Sequence, residues 1–152
     1  MKNLKPISFC VFLLLSFFCS FAQHELFTDQ DYNKPKLFSD LPEKLNLDIS
    51  QLENLFILSE SKHVKFPIGD FHFQGNVVSK SNPADKKVQS IVIKSTNRMG
   101  AAFTFTKIIN EDGSIAFKGR ILSRDHSDAY DMQIENGQYF LIKKHQLEIL
   151  NE

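Results

Sequence analysis

From Ala101 to Leu122 apolar and polar residues alternate in two runs, AAFTFTKIIN and SIAFKGRIL, separated by Glu111-Asp112-Gly113. This period of two predicts a pair of antiparallel strands with one buried face. Two registers compete. A two-residue Asp112-Gly113 loop would set Lys107 opposite Lys118 and Phe105 opposite Arg120, which mixes the faces and opposes like charges. A three-residue loop with Gly113 in the left-handed position of a G1 bulge instead pairs Ile109 with Ile115, Phe105 with Gly119 and Phe103 with Ile121. The second register collects Thr104, Thr106, Lys118 and Arg120 on a water-facing side, so the other side requires a core.

The same period recurs on both sides of this hairpin. Val64 and Phe66 lead into Pro67-Ile68-Gly69-Asp70, which reads as a four-residue type I turn pairing Phe66 with Phe71 and Lys65 with His72. Gly75-Asn76 interrupts the alternation and predicts a bulge. Val88 to Ser95 forms a further strand, and Asn97-Arg98-Met99-Gly100 turns it into the central hairpin. Near the C-terminus Asn136-Gly137 is a strong two-residue turn signal, which sets Glu135 opposite Gln138, Ile134 opposite Tyr139 and Met132 opposite Leu141. That hairpin is expected to be central in the sheet, or bordered by an N-terminal helix on one side and by Leu147-Glu148-Ile149-Leu150 on the other. Only residues 50–60 break the pattern: Ser50-x-x-Glu53 is a capping box, and Leu52, Leu55, Phe56 and Leu58 follow at helical spacing, with Ile57 off the stripe. The expected fold is α+β and mainly β: an antiparallel meander of about seven strands, an open sheet or a partial barrel, with one short N-terminal helix packed on it.

Two segments precede this domain. Residues 1–22 have a basic start (Lys2, Lys5), an apolar run and a Ser20-Phe21-Ala22 ending, the pattern of a secretory signal peptide too short to span a membrane comfortably. Residues 23–45 are polar, with Pro35 and Pro42, and read as a loosely held arm with a helical turn near Asp40 to Leu45. Residues 46–152 then form a single β-rich domain. Loss of the leader would remove Cys10 and Cys19, both cysteines of the chain, and with them disulfides, thiolate nucleophiles and thiolate zinc sites. It would also remove Lys2 and Lys5, leaving a slightly acidic chain. The expected location is secreted or periplasmic. Nucleic acid is a poor partner for a chain whose only paired basic residues are Lys86-Lys87 and Lys143-Lys144.

Candidate chemistry is sparse. His63 and His72 fall on one face in the four-residue register, but Lys65 then stands opposite His72, an ammonium where a divalent cation would sit; no metal site is assigned. The six glycines stand singly, so no phosphate cradle is present, and no cofactor is expected. The densest polar cluster is Arg124-Asp125-His126-Ser127-Asp128, followed by Tyr130. It lacks a nucleophile elbow and the alternating ligands of a calcium loop, so no catalytic residue is assigned. Arg124, Asp125, His126, Asp128 and Tyr130 are instead the candidate binding loop, since a rigid sheet commonly presents its functional residues on loops.

These features favour a small exported, non-catalytic interaction module, inhibitor-like in build, whose partner is another protein. One alternative is a carrier of a small apolar ligand, with the sheet curled around a cavity lined by Phe71, Phe73, Phe103, Phe105 and Phe117; another is a small hydrolase using His126.

Overall fold

Three hairpin turns fix the architecture. The computed structural model describes residues 34–82 and 84–150, with the backbone only for Leu150; the leader and residues 23–33 of the arm lie outside the described residues. In the central hairpin, β5 (Ala101–Ile109) and β6 (Ile115–Ser123) pair Ile109 with Ile115, Phe105 with Gly119 and Phe103 with Ile121. Gly113 takes a φ of 82°, and Asn110 N–H donates to the Ser114 carbonyl at 2.9 Å, closing the three-residue loop. β7 (Asp128–Glu135) and β8 (Gln138–His145) pair Ile134 with Tyr139 across Asn136-Gly137, whose φ values of 52° and 78° are those of a type I′ turn.

The first hairpin differs from the expected register by one step of the turn. β2 (His63–Ile68) and β3 (Phe71–Lys80) are joined by two residues, so Ile68 faces Phe71, Phe66 faces Phe73 and Lys65 faces Gln74. Gly69 occupies the first central position at a φ of 56°, as in type II′ turns. The tight loop keeps Ile68 within the ladder and fully buried, where a four-residue turn would have spent it in the connection. It also separates the two histidines. His63 pairs with Asn76, its Nδ1 3.0 Å from Asn76 Oδ1, whereas His72 pairs with Pro67; four strand positions are about 13 Å.

β3 and β4 (Val88–Ser95) slip register between Val77 and Ser79, so the bulge sits at Val78 and not at Gly75. Gly75 serves a different need: a Cβ there would lie 2.8 Å from Ile93 Cγ2 and closer still to the Lys94 carbonyl. The helix is shorter than 50–60. α1 (Ile49–Glu53) runs into a 3-10 turn (Asn54–Ile57), and its N-cap is Asp48, whose carboxylate accepts Gln51 N–H at 3.3 Å. Glu53 is drawn away from Ser50 by Lys107, whose Nζ lies 2.5 Å from Glu53 Oε1. Lys80 Nζ donates to the carbonyls of Phe56 and Leu58 at 2.6 Å each, ending the turn. The C-terminal stretch, expected at the border of the β7–β8 hairpin, is a helix, α2 (Gln146–Leu150), that packs against β7 and β8 with Ile149 buried.

An eighth strand appears where the loose arm was expected. β1 (Lys44–Asn46) pairs antiparallel with β8, giving the order β1-β8-β7-β6-β5-β4-β3-β2, a meander with one long-range closure. The sheet curls into a half-barrel whose ends meet where Gly69 N–H donates to the Asn46 carbonyl at 2.9 Å. α1 and the 3-10 turn fill the remaining gap, with Leu52 and Leu55 buried. The interior is aromatic. Phe73, Phe103 and Phe105 are fully buried, Phe103 and Phe105 lie with centroids 6.1 Å apart, and Phe105 stacks between Phe56 at 5.1 Å and Phe117 at 5.6 Å.

Candidate functional site

The candidate loop connects β6 to β7, and its residues divide into two halves with different surroundings. Arg124 and Asp125 are exposed and His126 is half-buried. This outer half is held at its base: His126 Nδ1 lies 2.7 Å from Ser123 Oγ, and His126 N–H reaches the Ser123 carbonyl at 3.4 Å. The loop passes over the turn at Gly100, which has a φ of 86° and where a Cβ would sit 3.1 Å from Ser123 Oγ. Ser123 and His126 thus converge, but Ser123 is only 1% exposed, so its hydroxyl fixes the loop and faces no substrate.

The inner half turns into the domain and secures the chain from Lys34 onward. Asp128 accepts from Leu37 N–H at 2.6 Å and from Phe38 N–H at 2.8 Å. Ser127 N–H donates to the Pro35 carbonyl at 3.0 Å. Tyr130 donates its hydroxyl to the Pro42 carbonyl at 2.5 Å, and its ring meets Phe38 edge-on at 5.3 Å. Arg98 completes the attachment from β4's turn, gripping both Asp40 oxygens at 2.9 and 2.6 Å and the Leu37 carbonyl at 3.2 Å. Phe38, expected in a loose arm, is therefore fully buried. Burial raises the Tyr130 hydroxyl well above its ordinary pKa, and the carboxylates of Glu43, Asp128 and Asp40 push the same way. The Arg98 guanidinium holds Asp40 below the usual carboxylate range. Of the five candidate residues, Asp128 and Tyr130 are therefore committed to internal contacts; Arg124, Asp125 and His126 remain at the surface.

Comparison of the chain with protein-family models, with curated proteins and with solved structures finds no match. The functional reading therefore rests on the chain's own geometry. Among the described residues no group of three or more His, Cys, Asp or Glu is placed to hold a metal ion, and no helix is long and apolar enough to cross a membrane.

The opposite end of the half-barrel carries a surface that the polar-cluster reading missed. There the tips of the β5–β6 and β7–β8 hairpins expose Ile109, Ile115 (49%) and Ile134 (58%), with Val88 beside them. Beneath these, the Phe117 and Tyr139 rings meet edge-on at 5.8 Å and link the two hairpins. Their strand positions continue the inward-facing rows of Phe103, Phe105, Ile121 and Leu141, but at the tips no further layer among the described residues covers them. The signal was present in sequence as Ile109–Ile115 and Ile134–Tyr139, apolar pairs placed directly against turns.

Proposed function

We propose that the protein is a small exported, non-catalytic binding module that recognises another protein through the hairpin-tip end of its half-barrel. The observation that carries this reading is the exposure of Ile109, Ile115 and Ile134 at the tips of two hairpins that lie next to each other in the sheet and end on the same side. Isolated surface apolar residues are ordinary, whereas a rimmed group of them marks a contact surface. The carrier alternative needs an empty interior, and the stacked rings of Phe56, Phe105 and Phe117 occupy the space it would use. The hydrolase alternative needs a nucleophile near His126, and the neighbouring Ser123 hydroxyl is buried.

The test is positional. A photo-cross-linkable residue replaces Ile134, or in a control Met99 in the turn before β5, in the protein produced by its own source. A discrete protein adduct from position 134, lost when Ile115→Ser is added, is the expected result. Adducts from position 99 alone would move recognition to the other end.

A further inference from the structure

One strand junction in this sheet is incomplete. β6 and β7 pair only at Arg120 with Asp131 and Ile121 with Tyr130, although β6 pairs with β5 along its whole length and β7 with β8 likewise. On the sides that face each other, residues 115–118 of β6 and 132–135 of β7 therefore have no ladder partner among the described residues. Strand backbones direct hydrogen-bonding groups to both sides, so along this seam main-chain groups stand without a ladder partner. Met132 closes its inner end, since its Cε lies only 2.7 Å from where a Cβ of Gly119 would stand. From there to the hairpin tips the two strands have no ladder pairing, and across the inner side only the Phe117 and Tyr139 rings are seen to meet, at 5.8 Å.

Two chemistries flank the seam. Inward-row residues Ile115, Phe117 and Ile134 offer apolar surface. On the outer face stand Lys118 and Arg120, both exposed and neither in an ion pair among the described residues. They also border a hollow of about 370 Å³ over the outer face of β5 and β6, whose other walls are Thr104, Thr106 and Gly119. Asp131 stands across from Arg120 but lies 3.7 Å from Lys144, and the inward Lys107 is paired with Glu53.

Resting on the binding-module reading, we propose that this seam accepts an extended segment of a partner protein as an added strand, with acidic side chains at alternate positions toward Lys118 and Arg120. Alternate residues of a strand project to one face about 6.6 Å apart, the spacing that also separates Lys118 from Arg120 along β6. The intervening side chains turn to Ile115 and Ile134. Main-chain bonds supply affinity and the two cations supply selection, excluding lysine-rich segments. A second copy of this chain is the poorer occupant, because seam-to-seam pairing would bring Lys118 and Arg120 against their own counterparts.

The probe is a blocked Val-Glu-Val-Glu-Val peptide titrated into the isotope-labelled purified protein, followed by amide chemical shifts, with Val-Lys-Val-Lys-Val as control. The glutamate peptide should shift amides at 115–118 and 132–135 and bind about tenfold or more tighter than the lysine peptide. Lys118→Glu combined with Arg120→Gln, which sets no like charge against Asp131, should remove that preference, and N-methylation of the peptide backbone should abolish binding. Equal affinity for the two peptides, shifts confined to other regions, or concentration-dependent shifts at these amides without peptide would overturn the proposal. If the peptide fails while the cross-link from position 134 persists, strand addition falls and the binding-module reading stands; loss of both removes both.

Discussion

The two carboxylate oxygens of Asp128 each accept one backbone N–H, from Leu37 and from Phe38, across a separation in sequence of 91 and 90 residues. Hydrogen bonds to a charged acceptor contribute about 1.5–3 kcal/mol each, and an N–H left unpaired in the interior costs its desolvation besides. Asp128→Ala should therefore lower unfolding free energy by roughly 3 kcal/mol in urea titrations. Exchanging the charges at exposed Arg124 and Asp125 should change it by no more than about 0.5 kcal/mol. Equal losses from both changes would mean that the loop acts as one structural unit.

Tyr130 gives the same attachment a pH dependence. Its pKa is raised in the folded state, so its contribution is complete below the ordinary value of 10.0 and declines as pH climbs above it, because the unfolded chain releases the phenolic proton first. Thermal melts from pH 8 to 11 should show an alkaline fall that is shallower in Tyr130→Phe. That variant should also lose about 1 kcal/mol at neutral pH with the hydrogen bond to the Pro42 carbonyl. An unchanged alkaline slope would assign the fall to another group.

Phe105 separates a filled core from a ligand cavity. It is fully buried between the Phe56 and Phe117 rings and lies across from Gly119. Phe105→Ala should cost about 3–5 kcal/mol, and native mass spectra should show no bound small molecule before or after the change. A ligand lost from the unaltered protein on this substitution would restore the carrier reading.

Gly75→Ala tests close approach without any change in turn geometry. The added methyl would meet the Lys94 carbonyl and Ile93 Cγ2, so β3 and β4 must separate, at about 1–3 kcal/mol. Chemical denaturation would report it; a neutral result would show that the two strands shift freely at this point.

The two hairpins from Ala101 to Ser123 and from Asp128 to His145 were legible residue by residue, because alternation and turn chemistry agreed locally. The turn after Ile68 was not: Pro67-Ile68-Gly69-Asp70 satisfies a type I turn, and the gain from keeping Ile68 buried is a property of the finished core. For the helix start, Ser50 and Asp48 were both competent caps, and Lys107, arriving from β5, drew Glu53 out of the capping box. β1 carries no periodicity in three residues and exists through contacts to β8 and through the anchorage of residues 35–42 by Ser127, Asp128 and Tyr130. The candidate loop from Arg124 to Asp128 was visible as a polar cluster. That half of it faces inward depended on donors in a segment with no pattern to mark it.

The meander has a kinetic consequence. Each junction from β2 through β8 joins neighbours along the chain and closes only a short loop, whereas pairing Lys44 with Ile142 must close nearly the whole domain. The entropic cost of long closures delays them, so β1 should dock after the rate-limiting barrier, onto a sheet already assembled. In stopped-flow measurements Leu45→Ala should then speed unfolding and leave the refolding rate nearly unchanged. The same order makes the strand that forms last the first to peel away, so residues 34–46 are where the native protein should first admit a protease.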